Sequence, residues 1–159
     1  MQLMLVTRLA TLADSTLITA HRRAMFAEMG QSTPETLDVM SHNFAPWLER
    51  MLAADRYAGW IVEDGATPAA SAGFFQLDWP PHPLDPEAAA RGYLLNFWVE
   101  PAYRNRGLAR LLVGKAVAES RRRGLRVAAL HASAAGRPVY EKEGFRSSGE
   151  MLFIDAFQS

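Results

Sequence analysis

Apolar positions recur along this chain in two rhythms, and the switches between them mark out its elements. Leu3, Leu5 and Thr7 alternate with Met4, Val6 and Arg8, the period of a strand. Thr11, with Asp14 three residues later, opens a helix that runs to about Met29 and stops at Gly30. Within it Leu17, Ile18, Met25 and Met29 keep helical spacing, and His21, Arg22 and Arg23 read as a solvated edge, with His21 also able to face a cleft. Thr33 and Pro34 cap a second helix, whose stripe of Leu37, Met40, Phe44, Trp47, Leu48 and Met51 continues through Pro46. Pro46 removes one backbone hydrogen bond, so a kink or two abutting helices are expected near 42–46.

Tyr57 to Glu63 and Ala69 to Asp78 read as strands joined by the turn signal Asp64-Gly65. Four prolines between Trp79 and Pro86 force an extended or turning loop. Tyr93 to Val99 is a dense apolar strand, and Leu108 to Arg123 an amphipathic helix stopped by Gly124. Leu125 to His131 is a short strand, Pro138 lies in the first turn of a helix from about Arg137 to Glu143, and Met151 to Ala156 reads as a closing strand. The order β, α, α, β, β, β, α, β, α, β describes one α/β domain over 1–159.

Composition narrows the classes. Seventeen basic residues balance seventeen acidic ones, which speaks against bulk nucleic-acid or anionic-membrane binding. The chain has no cysteine, so disulfides, thiolate nucleophiles and Cys-ligated zinc are excluded. His42 and His82 show no ligand-like spacing with other histidines or acids, and no metal is expected. With no signal-peptide pattern and no apolar run near the length of a membrane span, a cytoplasmic location is expected.

The most informative stretch is Arg104-Asn105-Arg106-Gly107-Leu108-Ala109, between the dense strand and the amphipathic helix. A helix N-terminus offers unpaired N–H groups and partial positive charge, the means of holding a phosphate. Gly107 and Ala109 let a ligand approach the backbone, and the two arginines add charge and forked donors. Taken alone, the arginines can equally be ordinary surface charges.

Three features together resemble the GNAT superfamily of CoA-dependent N-acyltransferases. The strand exit Val99-Glu100-Pro101 is similar to the family's V-x-P. Arg104 to Ala109 is similar to its R/Q-x-x-G-x-G/A pyrophosphate loop. Leu130-His131-Ala132-Ser133, followed by Tyr140-Glu141-Lys142-Glu143-Gly144-Phe145, resembles its second block. The resemblance implies a three-layer fold with a mixed, mostly antiparallel sheet of about six to seven strands flanked by four helices.

It also implies acetyl-CoA as co-substrate, without a metal, and transfer of its acetyl group to a primary amine by direct attack in a ternary complex. Val99, Arg104, Arg106, Gly107, Leu108 and Ala109 would hold the donor, with Ser133 in support where the family often has Asn. The pantetheine arm would lie between the strand ending at Val99 and Leu125–His131, and a backbone N–H near Val99 would polarise the thioester carbonyl. Tyr140 would protonate the departing thiolate; the bland alternative is a core aromatic. Members are often homodimers.

The strand Tyr93–Val99 carries no carboxylate or histidine, where many members place a base. The base is then absent, remote, or a water held by Asn96 or a backbone carbonyl; elsewhere His131, His82, Asp85, Glu28 and Glu100 are candidates. Period-two alternation puts Tyr93, Leu95, Phe97 and Val99 on one face and Leu94, Asn96 and Trp98 on the other. Asn96, in apolar company, either faces substrate or satisfies a bulge. Phe44, Trp79, His82 and His131 are candidates for the acceptor walls, with Trp47 beside Phe44 and the proline-rich loop as one side; that loop could instead be a dimer contact. The acceptor is a small-molecule or peptide amine. Two other readings stay open: a catalytically silent acyl-CoA sensor, and an unrelated phosphate-binding α/β domain.

Overall fold

The computed structural model describes residues 3–155. Five strands form one sheet in the order β1-β2-β3-β4-β5: β1 (Leu5–Leu9), β2 (Tyr57–Asp64), β3 (Thr67–Asp78), β4 (Ala90–Val99) and β5 (Ala128–Leu130). The first four pair antiparallel and β5 joins β4 in parallel. Helices α1 (Ser15–Met29) and α2 (Pro34–Ala53) lie between β1 and β2 in sequence; α3 (Leu108–Arg122) links β4 to β5, and α4 (Arg137–Lys142) follows β5. Two apolar clusters make the three layers. Ile18, Phe44, Leu48, Tyr57 and Ile61 fill the space between α1, α2 and one face of the sheet. Val62, Ala70, Phe74, Leu94, Leu108, Leu112, Val113 and Ala116 fill the space between α3 and the other face. Among the described residues, no helix is long and apolar enough to cross a membrane.

The caps act as their residue types require. The Thr11 N–H donates to Asp14 Oδ2 at 2.8 Å, and Arg8 clamps the same carboxylate through both Nη atoms, tying β1 to the start of α1. A short 3-10 turn, Leu12–Asp14, precedes α1 proper. Thr33 Oγ1 accepts from the Thr36 N–H, with Pro34 at the first helical position. Gly30, Gly124 and Gly144, at the helix ends, adopt positive φ.

Two expectations are corrected. First, α2 is not two helices. It runs unbroken through Pro46, which lies with His42 on the exposed side, where a freed carbonyl can meet water. Second, the sheet has five strands among the described residues rather than six or seven. Residues 151–155 form no strand, and Ala156 lies outside the described residues. Met151, Leu152, Phe153 and Ile154 are 69–92% exposed, so their apolar run has no sheet partner. The Arg123 side chain, only 9% exposed, bonds Glu119, Asp55 and Gln76 and so anchors the end of α3 to the sheet.

Candidate active site

The central feature is a parting of strands. β5 pairs with β4 only from Gly92–Ala128 to Leu94–Leu130. Beyond that point Leu95 to Val99 run on without a paired strand on the β5 side among the described residues. The Glu100 N–H donates to Ala69 O on β3. The Val99 N–H, one residue back, therefore points the other way, into the gap. A segment of backbone without a strand partner needs another source of hydrogen bonds, and an amide-bearing ligand arm can supply it.

The β4 register shifts against β3 between Ser71 and Gly73, where Leu95 to Trp98 place one residue more than their partners. Asn96 occupies this bulge at φ +60°. The extra residue overturns the simple alternation. Leu94, Phe97 and Val99 share the α3 face, while Leu95 lies on the α1–α2 face. Asn96 lies on that second face too, because its partners do. Arg22 Nη1 donates to its Oδ1 at 2.7 Å, and its Nδ2 donates to Tyr57 Oη at 3.1 Å. Of the two expectations for Asn96, the bulge is the one observed. Its side chain is 1% exposed and its amide is committed on both atoms.

Tyr57 reaches Asn96 by lying across the sheet. Its ring covers Gly59 and Gly73, which face each other on β2 and β3, and a Cβ at Gly73 would overlap the Tyr57 hydroxyl. Glycine is required there by space, not by φ. Burial pushes the Tyr57 phenol up to about 12.

At the mouth of the gap, Gly107 takes φ +78° and caps α3, and Asn105 takes φ +61°. A Cβ at Gly107 would meet no atom within 4 Å, so the conformation alone demands glycine. The loop leaves the first N–H groups of α3 unpaired within the helix. The two arginines differ. Arg106 is exposed. Arg104 folds inward: its Nε donates to Val99 O at 3.0 Å, its Nη2 to Glu28 at 2.7 Å, and its guanidinium lies over Trp98. Leu108 is buried under the helix, and a shallow hollow continues from Gly107 past Arg110, Leu111, Gly114 and Lys115 to Glu143.

Tyr140 stands on α4 against the far side of the gap. Its ring meets Phe97 edge-on at 5.9 Å and Phe145 at 6.1 Å. No protein group among the described residues bonds its hydroxyl, and burial pushes the phenol up to about 12. Ser133 Oγ accepts the Gly136 N–H at 3.1 Å, fixing the turn that leads into α4 and leaving its own O–H to donate.

The remaining candidates separate. Trp79, His82 and His131 line one groove with Tyr140 over β5, whereas Phe44 lies on the opposite face, under Arg22. Arg91 stacks on Trp79 at 3.6 Å. His82 Nδ1 accepts from the Leu84 N–H inside its own loop. Asp85 is buried and accepts the Arg126 N–H, so it pins the proline-rich loop to the approach of β5. Glu28 is paired with Arg104, and Glu100 with His21.

His21 corrects the solvated-edge reading. It is 4% exposed, with Nδ1 at 2.6 Å from Ser71 Oγ and Nε2 at 3.3 Å from Glu100, and burial holds it below its usual pKa. It fastens α1 to β3 and to the end of β4. Arg22 also points inward, between Phe26 and Phe44. The signal was present in the sequence: Arg22 lies four residues after Ile18, on the buried stripe.

An acetyltransferase (GNAT) family model matches residues 20–145. No curated protein sequence matches the chain. The chain is similar to the crystal structure of a GCN5-related N-acetyltransferase from Ralstonia eutropha, at 38% identity over 95% of this chain and 98% of that one, with a TM-score of 0.90. It is also similar to a predicted acetyltransferase with acetyl-CoA from Clostridium acetobutylicum, at 27% identity over 96% of each chain and a TM-score of 0.88. At 16% identity the glucosamine-6-phosphate N-acetyltransferase of Arabidopsis thaliana shares the fold, with 97% of this chain and 99% of that one covered and a TM-score of 0.68.

Proposed function

Because the chain belongs to the acetyltransferase (GNAT) family, we propose that it moves an acetyl group from acetyl-CoA directly to a primary amine. The observation that carries this reading is the parting of β4 and β5 beyond Leu94 and Leu130, with the Arg106–Ala109 amides at its mouth and Tyr140 inside. In this proposal the pyrophosphate rests on the N–H groups of Arg106, Gly107, Leu108 and Ala109, with the Arg106 guanidinium beside it. Arg104 shapes the loop from behind, since its guanidinium is held by Val99 O and Glu28. The pantetheine amides pair with the unpartnered backbone near Val99, and Ser133 donates to the arm.

The chemistry follows from the bulge. The N–H groups of the Phe97–Val99 segment that face the gap polarise the thioester carbonyl. One such donor is worth roughly 10²–10³-fold in rate. A neutral amine attacks that carbon; the C–N bond forms as the C–S bond breaks, and the amine's surplus proton leaves to solvent. Tyr140 keeps its proton throughout the neutral range. A phenol near 12 transfers its proton to a thiolate of pKa ~8.5 only uphill. Its O–H therefore acts by hydrogen-bonding the sulfur as charge develops there. Asn96, with both amide atoms engaged, is a positioning residue that holds the bulge open.

Acetyl-CoA with a panel of amines tests the proposal, read by free thiol release and by the mass of the acetylated amine. Thiol release that depends on the amine is expected. CoA binding without release from any amine would overturn the transferase reading and leave a CoA-binding module.

A further inference from the structure

Every partly buried arginine but one has a carboxylate partner among the described residues. Arg8, Arg23, Arg56, Arg91, Arg104 and Arg123 each pair with Asp or Glu. Arg22 does not. Its guanidinium is sandwiched at 4.9 Å from the Phe26 ring and 4.8 Å from the Phe44 ring. Its one hydrogen-bond partner there is the neutral amide of Asn96, and its Nε is buried without any acceptor. The titratable groups that face it are the phenols of Tyr57 and Tyr93, both neutral at ordinary pH, and burial lowers its own pKa.

A buried cation with spare donors and no counter-charge is costly unless something else supplies the anion. On the same face of β4, two residues on, the Trp98 indole N–H is also buried without an acceptor. This wall is thus short of acceptors, not donors. Its position is informative as well. Arg22 grips the bulge residue, and the next residue, Phe97, touches Tyr140 on the far side of the strand. The cation therefore lies one strand's thickness from the place where the thioester would sit.

Resting on the acetyl-transfer reading, we infer that Arg22 binds a carboxylate next to the reacting nitrogen, so that the acceptor is an α-amino acid. The planar fork of the guanidinium suits a carboxylate, and a group beside the amine is what a site this close to the bulge can reach. Phe26 and Phe44 hold the fork in plane. Among the described residues no carboxylate side chain reaches Arg22, so none of them competes for the site.

The test compares the twenty L-amino acids with their carboxamides as acceptors for the native protein and for Arg22→Gln and Arg22→Lys. The native protein is expected to prefer the acid in kcat/KM by at least about tenfold for its best substrate, as a charge-assisted pair requires. Arg22→Gln brings the two within about twofold, and Arg22→Lys keeps part of the preference, while CoA affinity stays unchanged in both. Turnover of carboxamides equal to that of acids in the native protein overturns the inference and leaves acetyl transfer intact. So does an equal loss for both classes in Arg22→Gln, which is what a role confined to holding Asn96 produces. A preference for O-phosphoethanolamine over ethanolamine, without one for amino acids, overturns the carboxylate assignment in favour of a phosphate.

A second measurement does not need turnover. With CoA saturating, N-acetyl-L-amino acids are expected to raise the native Tm and their carboxamides not, and Arg22→Gln is expected to abolish the difference. Absence of that difference in the native protein refutes the carboxylate site even where no amine is acetylated.

Discussion

Replacing Tyr140 by Phe removes one oxygen from the centre of the proposed reaction and little else. The ring keeps its edge-on contacts with Phe97 and Phe145, and among the described residues the hydroxyl has no partner to orphan. Stability near pH 7 is therefore expected to change by no more than about 0.5 kcal/mol. Turnover is expected to fall by roughly 10²–10³-fold, or about 2.7–4 kcal/mol in barrier, because the thiolate leaves without a hydrogen-bond donor. The buried phenol has a second signature. Its pKa is raised from 10.0 to about 12, so its contribution to stability is full below pH 10 and is lost as pH rises through 12. At pH 11 that loss is about 1.4 kcal/mol in the native protein and is missing in Tyr140→Phe. Thiol release under saturating substrate measures the first effect, and urea unfolding at pH 8 and pH 11 the second. Full turnover in Tyr140→Phe would refute the role of the hydroxyl. Identical alkaline sensitivity in the two proteins would refute the buried phenol itself.

Three further outcomes follow from the geometry. Asn96→Ala leaves a Cβ at φ +60° without the short polar side chain that tolerates this conformation and unpairs both Arg22 and Tyr57, for an expected loss of about 3–4 kcal/mol in urea unfolding, of which Asn96→Gly recovers about 1 kcal/mol. Gly107→Ala lowers Tm through strain of about 1–2 kcal/mol, whereas Gly114→Ala, inside α3 with open space around it, raises Tm through a gain of up to about 1 kcal/mol. The hydrogen bonds from Arg8 hold the Asp14 carboxyl below its ordinary value, so this pair stabilises fully above pH ~4 and loses its effect as pH falls further. Asp14→Asn is expected to cost about 1–2 kcal/mol at neutral pH and to flatten that acid limb of the stability curve.

Much of the scaffold was legible because local chemistry decided it. Thr33-Pro34 started α2, Gly30 and Gly124 stopped α1 and α3, and Asp64-Gly65 turned the β2–β3 hairpin. The left-handed turn at Gly107 into α3 was legible for the same reason, as a short contiguous pattern. What escaped notice depends on partners distant in sequence. The bulge at Asn96 needs the register of β3 to reveal it, and an alternation argument carried past it misplaces Phe97 and Val99. His21 and Arg22 look like helix-surface charges until Ser71, Glu100 and Asn96 arrive from β3 and β4. Met151 to Ile154 have a strand's composition, but composition cannot supply the neighbouring ladder that makes a strand. Arg104 fits the motif as written, yet Glu28, 76 residues earlier, holds its side chain.

The extra residue in β4 also sets how this protein tolerates change. Before it, the strand's two faces follow the ordinary pleat; after it they are exchanged, so that Phe97 and Val99 meet α3 and α4 while Asn96 belongs to α1 and α2. Substitutions on α1 and α2 can remodel one wall while the other keeps its contacts. A deletion of one residue between Leu95 and Trp98 cannot be absorbed in that way, because it would turn Phe97 from Tyr140 and Val99 from the gap together. The length of this strand is thus constrained more tightly than its composition, and insertions and deletions, rather than side-chain exchanges, are the changes it forbids.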